Sequence, residues 1–270
     1  MGRRRVIGLV LSVVVVMAVV WTTPRGAAGQ GAAPAYSPPR TASGQPDLQG
    51  VWRVWSLAKH NLEDHTASWG VPPGLGVVEG GEIPYQPWAA MQRAENFENS
   101  RTDVPMESAD PLAKCYLPGV PRINYLGYPF QIHQLEDRLV FLYEWRHVRR
   151  VIYLNDEPSV FDGVDLWMGT SRGRFDGNTL VVNVSNQSSR TWLDEAGNFH
   201  SEALQVEERY TPLDANTMRY EATLEDPKVF TRPWTMSMLI HRQTDVGLLE
   251  YECHALLKER GVPLTWPREW

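Results

Sequence analysis

The stretch from Trp167 to Pro227 constrains this chain most. Strand-forming runs alternate there with turn residues over some sixty positions, and no helical periodicity interrupts them. Asp176-Gly177-Asn178 demands positive φ and reads as a tight hairpin turn, and Pro212-Leu213-Asp214-Ala215-Asn216 closes a second hairpin. Further strand-like runs surround this meander: Leu48 to Trp55, Gln131 to Leu135, Arg138 to Trp145, Arg149 to Leu154, Thr179 to Val184, Ala203 to Tyr210, Met218 to Leu224, Trp234 to His241 and Leu248 to Cys253. About nine short strands with no long periodic helix predict a mainly β protein. An antiparallel meander closing into a calycin-like barrel is the preferred architecture, because the strands look sequential, and a β-sandwich is the alternative. One short helix is expected, from Pro87 to Phe97, with proline at its start and Trp88, Met91 and Glu95 at helical spacing. It reads as a lid or plug against the sheet.

The N-terminus follows the secretory pattern. Arg3, Arg4 and Arg5 precede an apolar run from Val6 to Trp21, and Ala27-Ala28-Gly29 offers a small-residue cleavage site near Gln30. Residues 1–29 are therefore read as a signal peptide and the protein as periplasmic or secreted; an uncleaved single-pass anchor is the alternative, and only then would the membrane be a partner. Residues 30–47, rich in Gly, Ala, Pro and Ser, read as a flexible leader. Residues 48–270 form a single barrel domain carrying a Pro- and Gly-rich insertion at 60–129. Residues 1–29 hold four of the 26 basic residues and none of the 32 acidic ones, so the remainder carries a net charge of −10. That balance argues against nucleic acid and anionic lipid as partners. The two cysteines, Cys115 and Cys253, both lie in the exported part and are expected to pair; two buried free thiols are the alternative. Such a bridge closes a long loop, for which chain-entropy models give about 4 to 5 kcal/mol.

The segment Trp192 to Glu202 concentrates ionisable groups in one turn: Asp194, Glu195, His200 and Glu202 beside the indole of Trp192. An imidazole oriented by a carboxylate is a general base near neutral pH, so His200 with Asp194 forms one candidate pair. Gly197-Asn198 lets the chain reverse between them. The hairpin from Ala203 to Leu224 suggests a second: pairing Pro212 with Thr217 sets Glu208 opposite Glu221, and a buried carboxylate pair can divide acid and base roles. The expected catalytic set is thus Asp194, His200, Glu208 and Glu221. Trp192, Tyr143, Glu144 and His133 are expected to line a mixed cavity around the substrate. No nucleotide-binding fingerprint, nucleophile motif or metal-ligand spacing occurs, and no cofactor or metal is expected. The ten tryptophans beyond the leader suit a core or a small-molecule surface.

Several motifs carry a resemblance. Pro46-Asp47-Leu48-Gln49-Gly50-Val51-Trp52, Gly173-Arg174-Phe175-Asp176-Gly177-Asn178-Thr179-Leu180-Val181-Val182, Thr191-Trp192-Leu193-Asp194 with His200-Ser201, and Thr231-Arg232-Pro233-Trp234-Thr235 together resemble a widespread group of secreted bacterial proteins with no established activity. Phe175 and Asn178 stand where that pattern has Trp and Asp, and Asn183 where it often has Asp. Gly50-Val51-Trp52 is also similar to the G-x-W opening of lipocalins, which implies, as an analogy of architecture, a barrel enclosing an apolar ligand. The expected function is binding of an apolar or aromatic small molecule, with acid/base chemistry on it such as elimination, isomerisation, cyclisation or hydrolysis. A non-catalytic carrier or sensor and an envelope structural protein are the alternatives.

Overall fold

The computed structural model describes residues 36–67, 71–101, 110–155, 161 and 163–259. The expected signal peptide, residues 1–29, lies outside the described residues. Nine strands close a barrel in chain order: β1 (Gly50–Val54), β2 (Phe130–Gln134), β3 (Arg138–Tyr143), β4 (Arg149–Tyr153), β5 (Thr170–Asp176), β6 (Thr179–Ser185), β7 (Gln205–Pro212), β8 (Thr217–Glu225) and β9 (Trp234–Gln243). β9 returns to β1, with Trp52 opposite Arg242 and Val54 opposite Ile240, so no edge remains and the sandwich alternative is excluded. One pair departs from the expected meander. β4 and β5 are parallel, with Ile152 opposite Ser171, because the chain between them makes a crossover instead of a hairpin. The turn Gly177-Asn178 joins β5 to β6 as expected, with Gly177 at φ 60°.

Two strand expectations fail. No strand is expected over β5, because its inward positions Ser171 and Gly173 give no apolar alternation. A Cβ on Gly173 would lie 2.7 Å from Ile152 Cγ2, so a larger residue there would collide with β4. Conversely, Leu248 to Cys253 forms no strand; Tyr251 makes a lone bridge to Trp145 and Cys253–Glu259 is the short helix α2. The predicted helix exists as α1 (Pro87–Arg101). It packs on the charged turn: Asn96 Nδ2 donates to Gly197 O at 3.1 Å, and a Cβ on Gly197 would lie 2.7 Å from Asn96 Cβ, which accounts for glycine there. The Cys115–Cys253 disulfide is present. No helix among the described residues is long and apolar enough to cross a membrane.

Alternation sets the core. On β7 and β8 the inward positions are Val206, Glu208, Tyr210, Met218, Tyr220, Ala222 and Leu224, all buried. Facing them are Phe130, Phe141, Tyr143 and Arg150 from β2 to β4. Two 3-10 turns, Pro111–Lys114 and Arg122–Tyr125, precede β2, and Asn124 of the second bonds Glu208 inside the barrel. That turn is held by Arg122, whose guanidinium forks onto Asp110 at 2.8 and 2.6 Å.

The polar groups inside form one network. Glu208 pairs with Arg150 through Oε2, and its Oε1 accepts from Tyr220 at 2.8 Å and Tyr210 at 3.0 Å. Asn124 Nδ2 lies 2.8 Å from the same oxygen, while Asn124 Oδ1 accepts from Tyr143 at 2.8 Å. Arg150 Nε donates to Ser171 at 2.9 Å. Burial drives the hydroxyl pKa values of Tyr143, Tyr210 and Tyr220 upward, so all three stay protonated as donors. Removing one member of a buried ion pair leaves the other charge uncompensated and costs about 3 to 5 kcal/mol, whereas replacing both is far milder. Glu208→Leu or Arg150→Met alone should therefore lower the urea-unfolding free energy by about that amount. The double variant should lose much less than the sum, and strict additivity would show that the two charges are not coupled.

Candidate functional site

The residues singled out in the sequence occupy different places. Glu208 and Tyr143 are inside the barrel wall with no more than 2 % of their surface exposed, and Glu208 has both carboxylate oxygens engaged. Glu221 is not its partner. The hairpin loop is one residue longer than expected, Pro212 pairing with Met218, so Glu208 faces Ala222 and Glu221 faces Arg209 on the outer surface. The anticipated carboxylate pair is thereby replaced by a carboxylate and a guanidinium. His133 lies exposed on the outer face of β2, and Trp192 is half-buried, bridged to Phe199.

Asp194 and His200 are both buried in the turn, and each bonds other groups. His200 Nδ1 donates to Ser201 O at 2.8 Å, so Nε2 is the acceptor for the Thr191 hydroxyl at 2.6 Å. Burial lowers the His200 pKa, which keeps the ring neutral. Asp194 acts as a clamp. Its oxygens accept from Leu62 N (2.9 Å), Ala196 N (3.0 Å), Asn198 N (3.1 Å) and Asn198 Nδ2 (2.6 Å). Asp226 fastens the far end of the turn, accepting from Ser201 N at 2.6 Å.

The clamp sews the turn to a strap, residues 55–66, that follows β1. Glu195 N donates to Lys59 O at 3.0 Å, and Asp194 takes Leu62 N, so the turn grips the strap on both sides of His60. Ala58 and Leu62, each with no exposed surface, anchor the strap in the core. Between them the His60 ring meets Glu195: Nδ1 lies 2.5 Å from Oε2, with the two side chains 17 % and 40 % exposed. Sequence reasoning singled out the crowded turn but missed this partner, because His60 sits 135 residues away in an irregular segment without any spacing signal.

The pair lies on the wall of a cleft of about 1090 Å³. Trp145, Tyr128 and Tyr251 build an aromatic wall of the same cleft, with Trp145 and Tyr251 stacked at 4.7 Å and Tyr128 tilted against Tyr251 at 4.8 Å. Trp145 Nε1 is buried with no hydrogen-bond partner among the described residues. Cys253 and Leu257 of α2 continue this wall, so the disulfide holds it in place. A second cleft, of about 960 Å³, meets the first at Lys59, His60, Leu126 and Tyr128, and includes Glu144. Trp192 lines neither of these two clefts. Among the described residues no cluster of three His, Cys, Asp or Glu could hold a metal ion. No protein-family model matches this chain, and no curated protein matches it in sequence.

The clamp is pH-sensitive. Burial pushes the Asp194 pKa from its ordinary 3.8 up to about 6, against the pull of its donors and of Arg122. A proton bound more tightly in the fold than in the unfolded chain adds stability that is fully present below about pH 4 and lost as pH rises through about 6. At 1.36 kcal/mol per unit the swing is about 3 kcal/mol. Urea unfolding of the protein and of its Asp194→Asn variant tests this. The stability advantage of the parent over the variant should shrink by up to about 3 kcal/mol between pH 4 and pH 7. A constant or growing advantage would show an ordinary low-pKa carboxylate. His200 titrates alike in both proteins and cancels.

Proposed function

We propose that this protein is exported and binds an apolar or aromatic small molecule in the cleft walled by Trp145, Tyr128 and Tyr251, where His60 and Glu195 perform acid/base chemistry on it. The observation that carries the reading is an imidazole 2.5 Å from a carboxylate, partly open to an aromatic-walled cleft. Glu195 on Nδ1 favours the tautomer with that nitrogen protonated, leaving Nε2 to take a proton from bound substrate or water. The imidazolium so formed is stabilised by the carboxylate and can return the proton to a leaving group or a neighbouring atom. Elimination, isomerisation, cyclisation and hydrolysis share this requirement. Three rings supply the contact area and specificity for a flat or apolar ligand.

A different role falls to the charges inside the barrel. Glu208, sealed from solvent and neutralised by Arg150, supports the fold that presents the cleft. Asp194 is a positioning residue, holding the strap that carries His60. Export is supported by the basic, apolar N-terminal sequence and by the disulfide, which an oxidising compartment maintains.

The test is to identify by mass spectrometry the molecule that co-purifies with protein expressed in a bacterial periplasm, and then to follow its binding and its conversion. Tyr251→Ala, a half-buried position on the cleft wall, should weaken binding by about tenfold or more. His60→Asn should keep binding and lower turnover by about 10² to 10⁴. Binding that needs Tyr251 without any conversion would make the protein a carrier, and binding indifferent to Tyr251 would remove the cleft from consideration.

A further inference from the structure

The cleft on the other side of His60 has a different chemistry from the aromatic one. Its wall includes Arg53, Trp55 and Lys59. Arg53 occupies an outward position of β1, with its guanidinium carbon 3.8 Å from the centre of the Trp55 ring, and Trp55 is 61 % exposed. Such stacking holds the guanidinium plane without consuming its donors. None of those donors reaches an acceptor among the described residues, and Arg53 Nε is buried without a partner. The Lys59 ammonium likewise has no ion pair there; only its backbone carbonyl is bonded, to Glu195 N. One buried donor, Nε, is left unsatisfied at a cost, while the outer donors stay open to solvent, and the guanidinium fork matches a carboxylate.

The nearby acids do not quench these cations. Glu144 Oε2 accepts from Leu249 N at 2.9 Å, Asp245 accepts from the Thr244 hydroxyl at 3.2 Å, and Glu195 holds His60. Glu144 and Asp245 do set the charge of the occupant. With two acids on the walls beside two bases the formal charges cancel, so a monoanion adds one uncompensated charge and a dianion such as a phosphate monoester adds two.

We propose that this second cleft is a carboxylate-binding subsite, so that the ligand of the groove is an aromatic carboxylate. The carboxylate sits in the Arg53 fork with Lys59 as the second charge. The ring lies towards Trp55 and Tyr128, and the remainder extends past His60 into the aromatic cleft. This inference rests on the groove being the ligand site. It adds the class of ligand and its orientation: the anionic end is held on one side of His60 and the end that reacts is presented on the other.

Isothermal titration of the full, disulfide-bonded protein with 2-naphthoate and with its neutral analogue 2-naphthylmethanol tests it. The carboxylate should bind about tenfold tighter or more, and the difference should narrow as salt is raised. Arg53→Gln and Lys59→Gln should each reduce naphthoate affinity by about tenfold and leave naphthylmethanol within about twofold. Thermal midpoints check folding of both variants, and Lys59, which carries no side-chain bond, serves if Arg53→Gln is unstable. Equal binding of the two probes, or equal loss of both in the variants, overturns the subsite while leaving the aromatic cleft as a ligand site. Failure of both probes to bind at all overturns both.

Discussion

The ion pair between Arg150 and Glu208 decides where anything can bind to this protein. A nine-stranded barrel is wide enough to enclose a ligand, yet here the inward positions of β7 and β8 carry a carboxylate and two tyrosines that need partners. A carboxylate without accessible surface must be matched by a cation and by donors. Arg150 from β4, Asn124 from the second 3-10 turn, and the hydroxyls of Tyr210 and Tyr220 meet that need. In doing so they fill the lumen at that level. Any molecule entering there would have to displace a saturated network, whereas the strap and the charged turn carry less committed groups.

Asp194 orders those two segments. Its four donors come from both the strap and the turn, and a side chain bonded this way fixes the relative position of two irregular segments that have no shared ladder. The consequence is local: Glu195 follows Asp194 directly and His60 lies two residues before Leu62, so a clamp on Asp194 and Leu62 brings the imidazole to the carboxylate. The charged turn thus divides its acids between two tasks, with the buried one holding backbone and the exposed one facing the cleft.

How much of this was legible in the sequence depended on how local each signal was. Hairpins with a demanding turn, such as Gly177-Asn178, and strands with clear alternation, such as β3 and β8, are written in neighbouring residues. β5 was not, since Ser171 and Gly173 face inward to make room for Ile152 and Arg150 on another strand. The Glu208–Glu221 pairing failed for a related reason. Register follows loop length, and the bonds from Leu213 and Asp214 to Thr217 O that set a five-residue loop cannot be counted from composition. The cysteine pairing was legible because two cysteines in a sequence with a secretory pattern leave one intramolecular choice. His60 was invisible: a histidine in an irregular segment acquires meaning only when the fold closes 135 residues of separation.

The aromatic wall of the cleft shows why the disulfide matters to the site as well as to the chain. α2 has seven residues, too few for a helix to persist in water without tertiary support. Its support comes from Cys253 bonded to Cys115, which sits with no exposed surface under the first 3-10 turn, and from Tyr251 stacked on Trp145. Arg146, in the tight turn after β3, donates to the carbonyl of Cys115 and so fixes the other end of the same tether. The aromatic wall is therefore assembled from three segments distant in sequence, joined by one covalent bond, one ring stack and one charged hydrogen bond. The covalent member of this wall is compatible with the oxidising compartment expected from the N-terminal sequence.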